Sequence, residues 1–283
     1  MSSKEKIAQR AAAEIGAGQI INLGIGIPTL IPKYLEDNKQ VVVHSENGIL
    51  GMGLPCKRGS EDRNLIDAGG TYVTTGRGAA FFDSALSFTL VRGGRLDIAF
   101  IGALEVSAAG DLANWIIPGQ YSPGIGGGME LAQKARRLIV TSMHTTRNGD
   151  PKILKACTLP LTAKGCVNTI ITELAVIDVL PAGLVLREIA AETDIDTVIA
   201  TVAERLHQLV AKMGVIDYQF PDARPRQCMD MALDHRLAAN AQQRLGHGVR
   251  QGTHPLATSR GQDHGLHGCT SRRFKCIASQ LSK

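Results

Sequence analysis

Aromatic residues are scarce in this 283-residue chain, which has six Phe, four Tyr and one Trp, whereas glycine occurs 31 times. A core with so few aromatic side chains must be built from small aliphatic ones, which is more typical of layered α/β enzymes than of β-sandwiches. The 44% hydrophobic and 20% charged content is that of a globular protein. A chain of this length can bury a sizeable core, as one large domain or two ordinary ones.

Paired cysteine motifs and long apolar runs are also missing. The six cysteines are scattered, with no CxxC pair and no histidine at zinc-finger spacing, so reduced thiols and no metal site are expected. The N-terminal segment carries Glu5 and Glu14 in a helical pattern and lacks the apolar region of a signal peptide. No apolar stretch approaches the roughly 18 residues that a membrane span needs. These absences predict a soluble cytoplasmic protein that has no membrane partner.

The net charge of +5 is unevenly distributed along the chain. Residues 221–283 contain ten Lys and Arg against four Asp and no Glu, which leaves 21 basic and 22 acidic residues in 1–220. The terminal segment also holds five of the eight histidines and has no sustained apolar period. We therefore predict a nearly neutral domain at 1–217 and a basic tail of low order at 218–283, with no nucleic-acid partner.

Helix and strand periods alternate through the predicted domain, which indicates an α/β fold. The pattern predicts helices over 4–15 and 82–90, strands over 20–23, 41–43, 96–101 and 138–141, and a hairpin over 174–189. Thr193 is predicted to cap a last helix that ends near Leu209. Residues 102–137, which are rich in glycine, are predicted to form a long functional loop.

Glu46 follows the predicted strand 41–43, at the place where open α/β sheets bind their ligands. Asn47 and Gly48 can turn the backbone sharply and hold the carboxylate outward. The same residues also fit an ordinary turn with a solvated glutamate, and the local sequence alone favours that simpler interpretation.

Two glycine-rich segments follow other predicted strands. Gly24 and Gly26 lack the third glycine of a dinucleotide fingerprint, but small residues here let backbone N–H groups approach an oxygen atom. Asn22 either adds an amide donor to that place or caps the strand. The run 124–128 is either a flexible linker or a source of N–H donors for an oxyanion. His44 and His144 have no acid at a recognisable spacing and are interpreted as structural, and neither serine-hydrolase nor thiol chemistry is indicated.

Several segments, taken together, resemble the B subunit of the 3-oxoacid CoA-transferases, which are family I coenzyme A transferases. They are 22–29 (NLGIGIPT), 45–51 (SENGILG), 82–85 (FDSA), 92–94 (RGG), 110–115 (GDLANW) and 124–130 (GIGGGME). The similarity runs through residues 4–215 in order and at the spacing of the family. It implies a three-layer α/β/α fold with a mostly parallel, open, twisted sheet, and the tail lies outside it.

The resemblance also implies the roles of single residues. Glu46 would be the nucleophile of a ping-pong reaction through a glutamyl-CoA thioester, and the backbone N–H of Gly127 would stabilise the oxyanion. The residues implied to line the substrate and CoA site are Asn22, Gly24, Gly26, Asn47, Gly48, Gly126 and Gly128. Coenzyme A thioester would be a substrate, with no permanently bound cofactor and no metal.

In the family the complete enzyme includes an A subunit, so the resemblance implies a hetero-oligomer of the α2β2 type. The implied reaction transfers CoA from succinyl-CoA or acetyl-CoA to a short 3-oxo acid such as acetoacetate. An alternative acceptor is 3-oxoadipate. A second alternative is a non-catalytic domain of the same fold that senses metabolites, and such a domain would need no nucleophile at Glu46.

Overall fold

The computed structural model describes residues 1–36, 39–122 and 124–202. The predicted domain boundary at 217, the tail 218–283 and the end of the helix predicted to reach Leu209 lie outside these residues. None of the helices in the described ranges combines the length and the hydropathy that crossing a bilayer requires.

The secondary structure alternates as the sequence predicts. The helices are α1 (Ser3–Ala12), a 3-10 helix (Ile27–Tyr34), α2 (Ser84–Arg92), α3 (Gly128–Lys134) and α4 (Ile195–Ala200). The strands are β1 (Ile20–Leu23), β2 (Val42–Ser45), β3 (Ile49–Pro55), β4 (Val73–Phe81), β5 (Ile98–Ile101), β6 (Glu105–Ser107), β7 (Leu112–Ala113), β8 (Arg137–Thr141), β9 (Ile153–Leu154), β10 (Thr169–Ile171), β11 (Ala175–Leu180) and β12 (Gly183–Ile189).

Nine of these strands form one sheet, in the order β12-β11-β10-β8-β5-β1-β2-β3-β4. Its five central strands, from β10 to β2, run parallel, and the pairs at both edges are antiparallel. A smaller sheet has the order β7-β6-β9. The predicted α/β fold is therefore confirmed, and the parallel part of the sheet is its centre. The carboxyl ends of the five central strands share one edge.

Alternating side chains of the central strands pack against a layer on each face of the sheet. In β5, Ile98 and Phe100 belong to a buried cluster that includes α1 and the 3-10 helix. Ala99 and Ile101 belong to a second cluster that includes α2, α3 and the small sheet. A continuous apolar strand is typical of a parallel strand buried on both faces. The three-layer arrangement follows from this alternation.

Two sequence predictions are wrong in detail. The stretch 102–137, predicted as one long loop, contains β6, β7 and α3. These elements have three, two and seven residues, which is too short to show a period in the sequence. The cap of α4 is Asp194 instead of Thr193, because the Asp194 carboxylate accepts a hydrogen bond from the Thr197 N–H at 2.7 Å.

A buried ionic cluster joins α1 to the sheet. Arg10 of α1 donates from Nε to Glu188 of β12 at 2.6 Å, and from Nη2 to Glu14 at 2.7 Å. Glu14 also accepts from Arg137 at 2.6 Å and from Arg187 at 2.9 Å. The side chains of Arg10, Glu14 and Glu188 are each less than a tenth exposed. Buried charges are tolerated when they are paired in this way.

Candidate active site

A tight turn at the end of β2 presents Glu46 at the carboxyl edge of the sheet. The N–H of Gly48 donates to the carbonyl of Ser45 at 3.0 Å, so Glu46 and Asn47 occupy the tip of the turn. Gly48 has φ +119, in the region that favours glycine. The chain then returns as β3, antiparallel to β2. A turn closed at both ends by strands holds the carboxylate in a defined place.

We expect Gly48→Ala to lower the free energy of unfolding by about 2–3 kcal/mol, because positive φ strains alanine and its methyl group collides with backbone. A Cβ atom on Gly48 would overlap the carbonyl oxygen of Phe82. The control is Gly59→Ala, since Gly59 has φ +87 and open space around it. Denaturant unfolding of both variants measures the difference. Equal losses of unfolding free energy in the two variants would show that the collision with Phe82 does not lower stability.

Hydrogen bonds to the two neighbours of Glu46, Ser45 and Asn47, hold the loop 57–72 in place. The N–H of Ala68 donates to the hydroxyl of Ser45 at 3.1 Å. The side-chain amide of Asn47 donates to the carbonyl of Ile66 at 2.7 Å. Asn47, expected at the CoA site, therefore already uses one of its amide hydrogens to hold this loop.

Asn22 lies at the end of β1, beside the turn. Its amide Nδ2 donates to Oε2 of Glu46 at 3.1 Å and to the backbone carbonyl of His44 at 3.2 Å. The Asn22 side chain is fully buried, and the Glu46 side chain is half-buried. The second carboxylate oxygen, Oε1, has no hydrogen-bond partner among the described residues. One oxygen of Glu46 is thus anchored and the other is open to a reactant.

Gly127, immediately before α3, lies against Glu46. A Cβ atom on Gly127 would be 3.5 Å from Cγ of Glu46 and 2.7 Å from Cζ of Phe88. The missing side chain is what lets this backbone approach the carboxylate. Within the described ranges, the Gly127 N–H has no hydrogen-bond acceptor. The structure therefore brings together Glu46, Asn22 and Gly127, three residues named from the sequence.

The other glycines named from the sequence have different surroundings. Gly24 donates its N–H to the carbonyl of Phe100 at 2.8 Å, so that N–H belongs to the sheet and cannot bind a ligand oxygen. Gly26 has φ +97 and precedes the 3-10 helix, and Gly126 is exposed with φ +53. Gly128 begins α3 and faces the side chain of Asn114. A Cβ atom on Gly26 or Gly126 would meet open space, and one on Gly128 would meet Asn114 and Thr162 instead of Glu46.

Sequence reasoning missed three residues behind the site, His44, Ser87 and Phe88. The ring of His44 is buried between Asn22 and Ser87, with Nδ1 3.3 Å from Nδ2 of Asn22 and Nε2 2.9 Å from Oγ of Ser87. The sequence carries no signal for them, because His44 is a lone histidine in the apolar strand β2 and the other two residues lie in α2. Only the register of β1 and β2, which pairs Asn22 with His44, reveals the contact.

The described neighbours of Glu46 provide no counter-charge for its carboxylate. Glu46 forms no ion pair with any residue in the part of the chain that the structure describes. Burial lowers the pKa of His44 to about 4, so the ring behind Asn22 is neutral at pH 7. An anchored carboxylate with one free oxygen, facing a glycine backbone, can attack an electrophilic carbonyl carbon.

This arrangement defines a class of α/β protein in which a glutamate at the carboxyl edge of a parallel sheet faces a glycine-rich backbone. Residues 4–200 match the family "Coenzyme A transferase". The chain belongs to this coenzyme A transferase family.

Two relatives show how close the similarity is. The chain is 50% identical over 195 residues to the B subunit of a 3-oxoadipate CoA-transferase of Pseudomonas putida, covering 69% of this chain and 91% of the relative. It is 43% identical over 205 residues to the β subunit of an acetate CoA-transferase of Escherichia coli, covering 72% of this chain and 94% of the relative. Each relative is one subunit of a CoA-transferase, and their names differ in the acid.

A solved structure shares the fold. The acyl-CoA transferase YdiF of Escherichia coli O157:H7 superposes with a TM-score of 0.58 at 22% identity. The match covers 72% of this chain and 41% of that longer chain. At this identity the likeness concerns the fold alone, and this chain spans less than half of that protein.

Proposed function

We propose that this chain is the B subunit of a CoA-transferase that moves coenzyme A between an acyl-CoA and a short 3-oxo acid. The observation that carries the proposal is the placement of Glu46 between the amide of Asn22, at 3.1 Å, and the backbone of Gly127. A transferase needs a nucleophile at this place and a donor for the oxyanion beside it. A metabolite sensor of the same fold needs neither.

The free oxygen of Glu46 attacks the thioester carbonyl carbon, and the carbon–sulfur bond breaks to give an acyl-glutamyl anhydride and CoA thiolate. The thiolate then attacks the glutamyl carbonyl, which forms the glutamyl-CoA thioester and releases the first acid as a carboxylate. The carboxylate of the second acid then attacks the glutamyl-CoA thioester, and the two steps occur in reverse. Each tetrahedral intermediate carries an oxyanion that the Gly127 N–H stabilises. Because a carboxylate replaces a carboxylate, the free energy of the thioester is conserved.

Water would hydrolyse both intermediates, so the working site has to be covered. Large apolar side chains are in contact with solvent on two segments of the described chain: Ile25, between β1 and the 3-10 helix, is 75% exposed, and Phe81, at the end of β4, is 60% exposed. Exposed apolar surface of this kind is typical of a protein interface. These residues support assembly with an A subunit, and we propose an α2β2 heterotetramer that is inactive without it.

The acceptor we favour is acetoacetate, with succinyl-CoA or acetyl-CoA as the donor, and 3-oxoadipate is the alternative. 3-Oxoadipate differs from acetoacetate by a second carboxylate, which would require a cationic group of its own. The test is CoA transfer from succinyl-CoA to each acid, by the purified chain with and without a CoA-transferase A subunit. Transfer to acetoacetate only in the mixture supports the proposal. Full activity of the chain alone, or no transfer to either acid by the mixture, contradicts it.

We expect Gly127→Ala to lower kcat about 100-fold, because the new methyl group meets the ring of Phe88 and pushes the N–H donor away from the oxyanion. The added Cβ would lie 2.7 Å from Phe88 Cζ. The double variant with Phe88→Leu should recover part of the loss, since it removes the ring atoms that collide. Steady-state kinetics of the assembled complex measures both. An unchanged kcat in Gly127→Ala would remove Gly127 from the mechanism.

A further inference from the structure

His44 lies directly behind the residue that contacts Glu46, although nothing in its sequence pattern marks it as functional. The nitrogen Nδ2 of Asn22 faces two acceptors, Oε2 of Glu46 at 3.1 Å and the His44 carbonyl at 3.2 Å, and lies 3.3 Å from Nδ1 of His44. One amide hydrogen points to Glu46, and the other is shared between the two atoms of His44. The contacts of Asn22 with His44 therefore set the direction of the hydrogen that reaches Glu46.

The side-chain oxygen of Asn22 does not help to orient its amide group. Its Oδ1 is buried and has no hydrogen-bond partner in the described part of the chain. An amide whose oxygen is unpaired can rotate by half a turn unless its nitrogen is held. After such a rotation Oδ1 would face the carboxylate of Glu46, and two acceptors would repel each other.

The geometry requires one particular tautomer of His44. Its Nδ1 can accept from Asn22 only if the ring proton is on Nε2, and Nε2 lies 2.9 Å from the hydroxyl of Ser87. Ser87 is fully buried in α2, and its hydroxyl oxygen can accept this proton. The ring also stacks on Phe82, with centroids 6.4 Å apart. If Nδ1 carried a proton, two donors would face each other and the amide would turn away from Glu46.

We propose that His44 is a positioning residue for Glu46: held by Ser87 with its proton on Nε2, it orients the Asn22 amide so that one N–H fixes the carboxylate for attack. This inference rests on the proposed function, because it describes how the nucleophile of that reaction is aimed. Fixing a nucleophile within a fraction of an ångström is worth up to about 100-fold in rate. His44 does not touch the substrate.

The kinetic test uses three variants of the full chain, assembled with the A subunit. His44→Leu fills the space but offers no polar atom, and we expect kcat to fall about 10- to 100-fold with little change in KM. His44→Gln carries an acceptor and a donor on one planar group, and should return kcat to within about threefold of the wild type. His144→Leu is the matched control, since His144 is also fully buried and bonded to a hydroxyl, that of Thr172, at 3.0 Å.

The His144→Leu complex should keep the kcat of the wild type even if it unfolds at a lower temperature. An unchanged kcat in His44→Leu, or an equal fall of kcat in His144→Leu, would overturn the positioning role. So would a His44→Gln variant that is folded but no more active than His44→Leu.

A second measurement does not depend on activity. Nitrogen-15 NMR of the histidine rings in the wild-type chain, with His44 assigned by its loss in His44→Gln, reports which ring nitrogen carries the proton. We expect an unprotonated Nδ1 at pH 7, and a protonated Nδ1 would overturn the inference. If the wild-type complex transferred no CoA, the proposed function would fail, while the tautomer of His44 would still decide this inference.

Discussion

Replacing Glu46 with glutamine is expected to lower the rate of CoA transfer by roughly 10⁴-fold or more, because an amide cannot form the anhydride or the thioester. Glutamine has nearly the shape of glutamate and can still accept the hydrogen bond that Asn22 donates at 3.1 Å. The fold and the affinity for acyl-CoA should therefore change little. The measurement is single-turnover transfer by the assembled complex, with thermal unfolding as a check on the fold.

The matched control is Glu192→Gln, which makes the same change of chemistry at the surface. Glu192 forms an exposed ion pair with Lys6 at 2.8 Å and has no contact with the active site. Its variant should transfer CoA at the rate of the wild type. A Glu46→Gln complex that retains activity within about tenfold of the wild type would remove Glu46 as the nucleophile.

Replacing Arg10 with methionine is expected to lower the free energy of unfolding by about 3–5 kcal/mol, because it leaves the buried Glu188 with only a longer contact, at 3.9 Å, from Arg187. Methionine fills most of the space of the arginine stem, so the effect reports the lost pairing and not a cavity. Glu14 also loses the hydrogen bond from Arg10, but it keeps those from Arg137 and Arg187. Denaturant unfolding at pH 7 gives the value.

Lys6→Met is the control on the same helix, because Lys6 also pairs with a glutamate that is distant in sequence. Its pair with Glu192 is exposed, with 31% and 77% of the two side chains accessible. An exposed pair of this kind contributes little to stability. Equal losses of unfolding free energy in Lys6→Met and Arg10→Met would show that the buried pairs of Arg10 contribute no more to stability than an exposed pair.

The effect of Arg10→Met should also depend on pH. Burial raises the pKa of Glu14, but hydrogen bonds and charge from Arg137, Arg10 and Arg187 outweigh it, so the pKa lies below its ordinary value of 4.5. A lowered pKa in the folded state gives stability that is complete above 4.5 and is lost as the pH falls further. The difference between the wild type and Arg10→Met should therefore shrink below pH 4.5. A constant difference would contradict this origin.

Much of the fold could be predicted because its central strands are apolar on both faces and glycines separate them from helices. The strands at 20–23 and 138–141 and the hairpin near 174–189 are confirmed as β1, β8 and the pair β11–β12. Predicting α3, β6 and β7 was not possible from periodicity, because elements of two to seven residues do not complete a pattern. Their positions depend on packing against β5 and β8, which only the folded chain supplies.

The residues of the candidate site were likewise predictable only in part. Glu46, Asn22 and Gly127 could be named from the sequence because the segments that contain them resemble those of the CoA-transferase B subunits, whereas the local pattern alone left their roles open. The role of His44 could not be predicted, since a lone histidine on an apolar strand is more often structural. Its contact with Asn22 arises from the pairing of β1 with β2, and its contact with Ser87 from the packing of α2. Both depend on residues far apart in the sequence.

The most direct test of the central claim is to trap the covalent intermediate on Glu46. The assembled complex is incubated with acyl-CoA in the absence of an acceptor acid and then treated with hydroxylamine, which converts a glutamyl-CoA thioester into a hydroxamate and frees CoA. Peptide mass spectrometry locates the modification. We predict a hydroxamate on Glu46 that is absent from the Glu46→Gln complex. An unmodified Glu46 in a complex that still turns over, or a modification on another residue, would contradict the account.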